Sequence, residues 1–332
     1  MTSTTKEEVR LNWAGQELIS SAFDAETTAE EVLEGRDLTG KTAIVTGGGN
    51  GIGFEISRAL AKAGASVTIA DVDVASAEAS TAKINTETGR RDVETREIDL
   101  ASLASAQAFA DAYAASGKPL DILINNAGVM APPLKRTAEG HELQLGINHL
   151  GHYRMTMGLL PVLRAGNGAR VVTVSSIGHR RSDILYDDPD YLTRPYDRWE
   201  AYGQSKTACA LFALGLTKRY SGDGIFANTM NPGGSMTGLQ RFLTDQEQRD
   251  LGWIDDKGNV TARWRSPEQC AATAVWIATA PETEGVGGRY FEECNESGPW
   301  HEDRPMNGVH TYAASPENAD RLWELTERLL GQ

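Results

Sequence analysis

The stretch Thr46-Gly47-Gly48-Gly49-Asn50-Gly51-Ile52-Gly53 decides the fold prediction for this chain. It directly follows a β-branched run, Thr42–Thr46, and opens a segment with helical periodicity that extends to Ala63. Glycines permit a tight turn and a close approach of the backbone to a ligand, and a helix N-terminus offers free N–H groups with a partial positive charge. The pattern therefore predicts a strand–turn–helix unit that holds the pyrophosphate of a dinucleotide. A flexible glycine-rich turn without a ligand is the plainer alternative.

The alternation of strand and helix continues along the chain. The predicted strands are Thr42–Thr46, Ser66–Asp71, Val93–Ile98, Leu120–Asn125, Arg170–Ser175, Ile225–Met230 and Gly288–Phe291. Helical segments lie between them, among them Ile52–Ala63, Ser76–Glu87, Leu103–Ala115 and Leu143–Leu163. Nearly all-apolar strands separated by helices indicate a parallel sheet covered on both faces. Right-handed crossovers then predict an α/β fold with a doubly wound parallel sheet of about seven strands, the Rossmann fold, whose ligand crevice lies beyond the carboxyl ends of the strands.

Three regions are predicted along the chain. Residues 1–40 are polar and acidic and are expected to form an N-terminal arm with a short helix near Thr28–Leu33. No linker-like composition interrupts residues 41–298, which are expected to form a single domain. Residues 299–332 are expected to form a C-terminal extension, in which Pro316–Leu330 has the pattern of an amphipathic helix capped by Ser315.

Composition and charge exclude several function classes. The formal net charge of −14 argues against nucleic acid or anionic lipid as a partner, because phosphate binding needs clustered cations. No apolar run is long enough to predict a membrane span, and the N-terminus lacks the apolar core of a secretory signal. The 3 cysteines have no metal-like spacing, so reduced thiols in a cytoplasmic protein are the simplest expectation.

A tyrosine and a lysine one helical turn apart form the second informative feature. Tyr202 and Lys206 stand at positions i and i+4 of Ala201–Tyr220, a segment with the pattern of a helix. Residues so spaced project from the same helix face, and a nearby cation favours the phenolate, which makes the hydroxyl usable as an acid or base. Because such pairs also occur by chance in helices, the interpretation depends on the residues around them.

An acidic residue ends the second predicted strand. Asp71 follows the glycine turn where a dinucleotide-binding fold places a carboxylate that accepts hydrogen bonds from the adenosine ribose and repels a 2′-phosphate. The residue immediately before Gly51 is Asn50, so this position offers no arginine or lysine to bind such a phosphate. These residues favour NAD over NADP. An aspartate that only caps the following helix is compatible with either cofactor.

With these motifs in this order, the chain resembles the short-chain dehydrogenases/reductases of the single-domain type, near their retinol-dehydrogenase-like and WW-domain-oxidoreductase-like branch. The glycine turn has the T-G-x-x-x-G-x-G spacing of that type. Asn125-Asn126-Ala127-Gly128 corresponds to the family's N-N-A-G, and Asn148, Ser176 and Pro232-Gly233 with Thr237 match further family motifs. The resemblance covers about residues 38–297.

The resemblance implies a role for each matched residue. Tyr202 would exchange a proton with the substrate oxygen, while Lys206 would assist it and hold the nicotinamide ribose. Ser176 would hydrogen-bond the reacting oxygen, and Asn148 would hold a water that links Lys206 to solvent. Two alternatives stay open: Ser176 could only cap a strand end, with Ser175 as the reacting hydroxyl, and Asn148 could be a buried helix residue that bonds the backbone.

The predicted cofactor site extends over several loops. Asp99 and Leu100 would touch the adenine, although Asp99 could merely cap the following helix. The residues expected to contact the cofactor are Gly47, Asn50, Gly51, Ile52, Gly53, Asp71, Asp99, Leu100, Asn126, Ala127, Gly128, Tyr202, Lys206, Pro232, Gly233 and Thr237.

Two irregular segments, Gly178–Arg198 and Gly234–Arg265, are expected to wall the substrate pocket. Their aromatic and apolar content favours a bulky, mostly apolar alcohol or ketone, whereas three arginines could instead read an acidic substituent or pair with nearby aspartates. The arginines are Arg180, Arg181 and Arg194. The residues predicted to line the pocket are Ser176, Ile177, His179, Tyr196, Met236, Leu239 and Trp253.

Further expectations concern metals and subunits. His149, His152 and His179 do not form a helical i,i+4 histidine pair with a carboxylate third ligand, so no metal site is predicted. The helices that carry Asn148 and Tyr202 often form a subunit contact in the resembled family, and both are apolar here, which favours a homodimer or homotetramer.

The sequence thus predicts an NAD-dependent oxidoreductase that interconverts a bulky secondary alcohol and its ketone. Hydride transfer to nicotinamide needs one positioned acid/base and one hydrogen-bond donor, and no metal. Two alternatives remain: an NADPH-dependent carbonyl reductase, and an NAD-binding regulatory protein without turnover. The second alternative is disfavoured because all four catalytic positions are filled.

Overall fold

The computed structural model describes residues 17–166, 168–261 and 264–331. The strands are β1 (Thr42–Thr46), β2 (Ser66–Asp71), β3 (Val93–Glu97), β4 (Ile122–Asn125), β5 (Ala169–Val174), β6 (Ile225–Asn231), β7 (Tyr290–Glu292) and β8 (Asn295–Glu296). The helices are α1 (Ala29–Leu33), α2 (Gly51–Lys62), α3 (Val74–Thr88), α4 (Leu103–Ala114), α5 (Leu143–Leu145), α6 (His152–Gly158), α7 (Leu160–Ala165), α8 (Arg198–Tyr220), α9 (Asp245–Asp250), α10 (Pro267–Thr279) and α11 (Pro316–Leu329). None of these helices is long and apolar enough to cross a bilayer.

The strands form a single sheet in the order β3-β2-β1-β4-β5-β6-β7-β8. All neighbouring pairs are parallel except β7 and β8. The strand order reverses between β1 and β4, so a crevice opens beyond their carboxyl ends. The predicted doubly wound parallel sheet is confirmed. The predicted strand number is too low by one, because β8 adds a two-residue antiparallel edge after a tight turn in which Glu293 and Cys294 have positive φ.

The segment predicted to be helical over Leu143–Leu163 is helical, but it is not one regular α-helix. A π-helical turn, Gly146–Gly151, separates α5 from α6, and α7 begins afresh at Leu160. Pro161 lies in the first turn of α7 and has no N–H to continue the hydrogen-bond ladder of α6. The π turn carries Asn148, and such turns are frequent at functional sites.

Both faces of the sheet are covered by helices. On one face, Ile56 and Leu60 of α2 pack with Trp276 of α10 against the strands. On the other face, Phe109 of α4 and Phe212 of α8 belong to a second buried cluster. Because every central strand is enclosed on both sides, the strands contain almost only apolar residues, as in other buried parallel sheets.

The two ends of the described chain pack onto this core. Residues of the N-terminal segment hydrogen-bond along β8, with Ile19 N donating to Glu296 Oε2 at 3.0 Å. The predicted short helix is present as α1, whose N-cap Thr28 forms a capping box with Glu31. Residues 1–16 of the predicted arm lie outside the described residues.

The C-terminal helix α11 is capped by Ser315, as predicted. Its Leu322 and Leu325 pack against Ala208 and Leu211 of α8. Part of the apolar α8 surface is therefore covered by α11 of the same chain. The expected subunit contact had been based on this surface.

Three histidines are buried inside the protein. His149, His152 and His179 are at most 2% exposed. Burial disfavours the charged imidazolium, and it lowers the pKa of His149 to about 3 and the pKa values of His152 and His179 to about 4. All three rings are therefore neutral in the folded protein at neutral pH.

These histidines make a testable prediction about stability. Between pH 6.5 and about 4 the unfolded chain binds protons that the folded chain does not, so the free energy of unfolding should fall as the pH decreases through this window. Each buried histidine contributes a slope of up to about 1.4 kcal/mol per pH unit. Urea unfolding of the parent and of His149→Gln between pH 7.5 and 5 measures the slope.

Comparing the parent with the variant isolates the contribution of His149. Glu142, whose pKa is raised by burial, opposes the trend in the lower part of the window, but it is present in both proteins. The variant should therefore show a flatter dependence than the parent. Parallel curves would contradict the assignment of His149 as a neutral buried group.

Candidate active site

The glycine turn connects β1 to α2 at the point where the strand order reverses. Gly47 and Gly51 adopt positive φ values of 64° and 55°, which favour glycine. A Cβ atom added at Gly53 would lie 2.2 Å from Gly47 O and 2.6 Å from Asn126 Nδ2. The turn is thus closed against the next loop, and the first N–H groups of α2 face the crevice without an intrahelical partner.

The hydroxyl of Thr46 joins the two loops at the switch point. Thr46 Oγ1 accepts hydrogen bonds from Asn126 N at 2.9 Å and from Ala127 N at 3.0 Å. The same oxygen lies 2.8 Å from His152 Nε2. Since His152 Nδ1 lies 3.1 Å from the acceptor Asn148 O, the ring proton is on Nδ1, and Thr46 donates to Nε2. One hydroxyl therefore connects β1, the loop after β4 and the Asn148 turn.

The acidic residues predicted for the adenosine side both line the crevice. Asp71 ends β2, and its carboxylate accepts from Gly49 N at 3.0 Å and from Asp73 N at 3.1 Å. The cap of α3 is supplied by Asp73, so Asp71 does not cap this helix. Asp99 accepts from Ala101 N at 2.8 Å, which makes it a turn residue as well as a lining residue.

Tyr202 and Lys206 lie on the floor of the crevice on α8. Tyr202 is 4% exposed and Lys206 is also 4% exposed. Lys206 Nζ donates to Val174 O at 2.9 Å and lies 5.8 Å from the centroid of the Tyr202 ring. A Cβ atom added at Gly178 would lie 2.6 Å from Tyr202 Cε1, so only glycine allows the ring to pack this closely on the backbone. Both side chains are held in place before any ligand arrives.

The two serines after β5 have different surroundings. Ser175 Oγ donates to Lys206 O at 2.7 Å, so its proton is used inside the protein. Ser176 Oγ accepts from Gly178 N at 3.0 Å and lines the crevice. Within the described residues, no protein acceptor takes the Ser176 proton. Of the two hydroxyls, only that of Ser176 can donate to a ligand without losing a structural bond.

Asn148 is buried in the π turn, and its amide group is fully engaged. Its Oδ1 accepts from Val129 N at 2.9 Å, and its Nδ2 donates to Val129 O at 3.0 Å and Ser205 Oγ at 2.9 Å. Its carbonyl accepts from His152 and from Cys209 Sγ. Asn148 thus braces the loop after β4, as the structural alternative proposed, and the water-holding role stays a prediction.

A cavity of about 1050 Å³ extends from the glycine turn to the end of α8. It brings together nearly all the predicted residues. Those that line it are Gly47, Asn50, Gly51, Ile52, Gly53, Asp71, Asp99, Leu100, Asn126, Ala127, Gly128, Ser176, Ile177, Tyr202, Lys206, Pro232, Gly233, Thr237 and Leu239.

Three residues predicted for the substrate pocket do not line this cavity. His179 is fully buried beneath Ser176. The Tyr196 hydroxyl accepts from Gln144 Nε2 at 3.0 Å and lies 3.1 Å from Glu142 Oε1. Met236 is half-buried beside lining residues, but it is not one of them. The segment Gly178–Arg198 therefore does not wall the pocket: its polar groups pack on the α5 region instead.

The arginines of that segment are also occupied. Arg180 donates to Pro305 O, and the guanidinium of Arg181 lies 5.0 Å from the centroid of the Trp199 ring. Arg194 Nη2 donates to Glu200 Oε1 at 3.3 Å. Because none of them lines the cavity, the suggestion that they read an acidic substituent loses its support.

The structure adds lining residues that sequence reasoning missed. Trp264 and the C-terminal residues Met306 and Asn307 also line the cavity. Trp253, which was predicted, lies with its ring centroid 5.2 Å from that of Trp264. No periodic or motif signal marks Met306, because its place depends on how the C-terminal extension folds back.

Together, the fold and the cavity define a Rossmann-fold protein of the dinucleotide-binding class. Sequence comparison then gives the family. The model of the family described as short chain dehydrogenase matches residues 41–248. The chain is 46% identical over 292 residues to the protein named "Probable oxidoreductase" of Streptomyces lividans, covering 87% of this chain and 97% of that one. It is 36% identical over 301 residues to retinol dehydrogenase 13 of Homo sapiens, covering 89% and 86%.

The chain therefore belongs to the short-chain dehydrogenase/reductase family of oxidoreductases, and the predicted resemblance is confirmed. Solved structures agree. A protein from Mycobacterium paratuberculosis superposes with a TM-score of 0.70 at 30% identity, covering 94% of this chain and 98% of that one. The RhlG/NADP complex of Pseudomonas aeruginosa gives 0.60 at 28% identity, covering 77% and 95%.

The closed glycine turn makes a prediction about nucleotide binding. Gly53→Ala should raise the Kd for NAD(H) and NADP(H) by about tenfold or more, because the new methyl group would force the turn away from Asn126. Isothermal titration calorimetry measures the Kd. Gly222→Ala is the matched control, since no atom lies within 4 Å of its added Cβ. Unchanged affinity in Gly53→Ala would contradict this account of the turn.

Proposed function

We propose that this protein is an NAD-dependent oxidoreductase that interconverts a bulky secondary alcohol and its ketone. The observation that carries the proposal is the single cavity that holds both the glycine turn and the Tyr202–Lys206–Ser176 group. The glycine turn fits a dinucleotide pyrophosphate, because Gly47 and Gly51 hold it tight at positive φ and the first residues of α2, Gly51–Gly53, line the cavity. NAD, when bound, accepts hydride from the carbon that carries the hydroxyl.

The protein's own residues would handle the proton. Tyr202 would take the hydroxyl proton as hydride leaves the carbon, and it would return the proton in the reverse direction. Lys206 donates one of its three N–H groups to Val174 O, which leaves the other two for the cofactor ribose. The positive charge of the ammonium would stabilise the phenolate that develops on Tyr202. Ser176 would donate to the reacting oxygen with the proton that no described residue accepts.

The preference for NAD rests on Asp71. Its carboxylate is held at the end of β2 by two backbone N–H groups, beside the place where a Rossmann fold binds the adenosine ribose. A 2′-phosphate there would meet a negative charge. The RhlG structure contains NADP, so related folds also accept the phosphorylated cofactor, and an NADPH-dependent carbonyl reductase is the second candidate.

The cavity walls support a mostly apolar substrate. The lining residues Tyr202 and Trp253 each pack edge to face on Trp199, which is not itself a lining residue, with centroid distances of 6.4 Å and 6.1 Å. Met130 and Leu239 belong to the same cluster. Large apolar side chains favour a ligand that buries much carbon surface. Arg241 and Arg265 also line the cavity, whereas no arginine of the Gly178–Arg198 segment does.

Replacing Tyr202 tests the proposed chemistry. Tyr202→Phe should lower kcat for NAD-linked alcohol oxidation about 100-fold or more while the Kd for NAD is retained, because only the proton acceptor is lost. NADH absorbance with a panel of steroid, aromatic, terpenoid and sugar alcohols measures turnover. Tyr220→Phe, at the other end of α8, is the matched control.

Two results would count against the proposal. Equal turnover by the Tyr202 variant and the parent would remove Tyr202 from the reaction. If the parent bound NAD but oxidised no alcohol and reduced no ketone, a regulatory NAD-binding protein without turnover would be favoured instead.

Cofactor preference tests the role of Asp71. The parent should show a kcat/KM at least about tenfold higher with NAD than with NADP, and Asp71→Asn should reduce that ratio because the charge that repels the 2′-phosphate is removed. Steady-state kinetics with both cofactors give the ratio. A parent that prefers NADP would show that Asp71 does not select the cofactor.

A further inference from the structure

His179 lies directly beneath the proposed active site without lining it. Its side chain is fully buried, and each ring nitrogen has a partner: Nδ1 lies 2.7 Å from Ser176 O, and Nε2 lies 3.0 Å from His310 N. A backbone N–H can only donate, so Nε2 must be the acceptor and carry no proton. The proton of the neutral ring is therefore on Nδ1, where it is donated to Ser176 O.

The carbonyl of Ser176 is held by several donors. Besides the ring of His179, its oxygen accepts from His179 N at 3.0 Å and from the Tyr290 hydroxyl at 3.4 Å. The Ser176 hydroxyl is held from the other side by Gly178 N. The orientation of the Ser176 peptide, and with it the direction of the hydroxyl, thus depends on groups that do not reach the cavity.

We propose that His179 is a positioning residue, which fixes the Ser176 carbonyl through Nδ1–H so that the Ser176 hydroxyl points at the substrate oxygen. The proposal rests on the proposed function. The ring contributes one short bond in a fully buried place, where a polar group without a partner is costly. The bond is made to the backbone of Ser176 itself, whose hydroxyl must be placed accurately for reaction.

The C-terminal extension determines the state of the His179 ring. The N–H of His310 is what requires Nε2 to be an acceptor, and the Tyr312 hydroxyl donates to His179 O at 2.9 Å. The rings of His310 and Tyr312 stack with centroids 3.9 Å apart. The extension that supplies Met306 and Asn307 to the cavity wall therefore also contacts Ser176 indirectly, through the His179 ring.

Two substitutions separate the functions of the two nitrogens. In His179→Asn, the side-chain amide can still donate to Ser176 O but cannot reach His310 N. In His179→Gln, the longer side chain can accept from His310 N but places no donor on Ser176 O. We expect kcat to fall about 10- to 100-fold in the glutamine variant and to stay within about threefold of the parent in the asparagine variant. The Kd for NAD should be unchanged in both.

A loss of equal size in the two variants, or full activity in His179→Gln, would overturn the proposal. A double substitution sharpens the test. In a Ser176→Ala background, His179→Gln should cost no more than about a further twofold, because the group through which it acts is absent. Two independent losses that multiply would show that His179 acts by another route.

The ring state can be tested in the unaltered protein, which also covers the case that a variant does not fold. Imidazole ¹⁵N NMR should show His179 as the neutral tautomer with the proton on Nδ1 at pH 7. A proton on Nε2 would overturn the proposal. Failure of the proposed function would be seen separately, as turnover that is absent in the parent or unaffected by Tyr202→Phe and Ser176→Ala.

Discussion

The hydroxyl of Thr46 is the contact on which the arrangement of the site depends. It accepts from the N–H groups of Asn126 and Ala127 and donates to His152, whose other nitrogen bonds the Asn148 carbonyl. These groups are buried, and a buried donor or acceptor without a partner costs about 1–3 kcal/mol. The glycine turn, the loop after β4 and the π turn must therefore form together, which sets the shape of the cofactor crevice.

Burial of α8 explains how two flexible side chains can be held for chemistry. Every residue from Ala201 to Thr217 is buried, because the helix packs against the sheet on one side and α11 on another. The Tyr202 ring packs closely on Gly178, and the Lys206 ammonium donates to Val174 O. The conformational entropy of these two side chains is lost during folding, so little more is lost when a ligand binds.

The C-terminal extension has a larger part in the site than its position in the chain indicates. Its Thr326 hydroxyl bonds the buried ring of His149, and its backbone at His310 bonds His179. Its residues Met306 and Asn307 line the cavity. The family model matches residues 41–248, so these two lining residues lie outside the matched part of the chain.

The amino-acid sequence determined the elements that depend on local pattern. The bounds of β1 and β2, the glycine turn and the helix with Tyr202 and Lys206 could all be predicted, because periodicity and turn chemistry act between near neighbours. Most residues predicted to contact the cofactor line one cavity, because their motifs follow the ends of neighbouring strands. The tertiary structure alone decided that Tyr196 packs on Glu142, that His179 bonds the Ser176 carbonyl and does not line the cavity, and that Asn148 lies in a π turn. These outcomes depend on partners far away in the chain, such as His310 for His179, and a local pattern carries no information about which distant group will satisfy a buried polar atom.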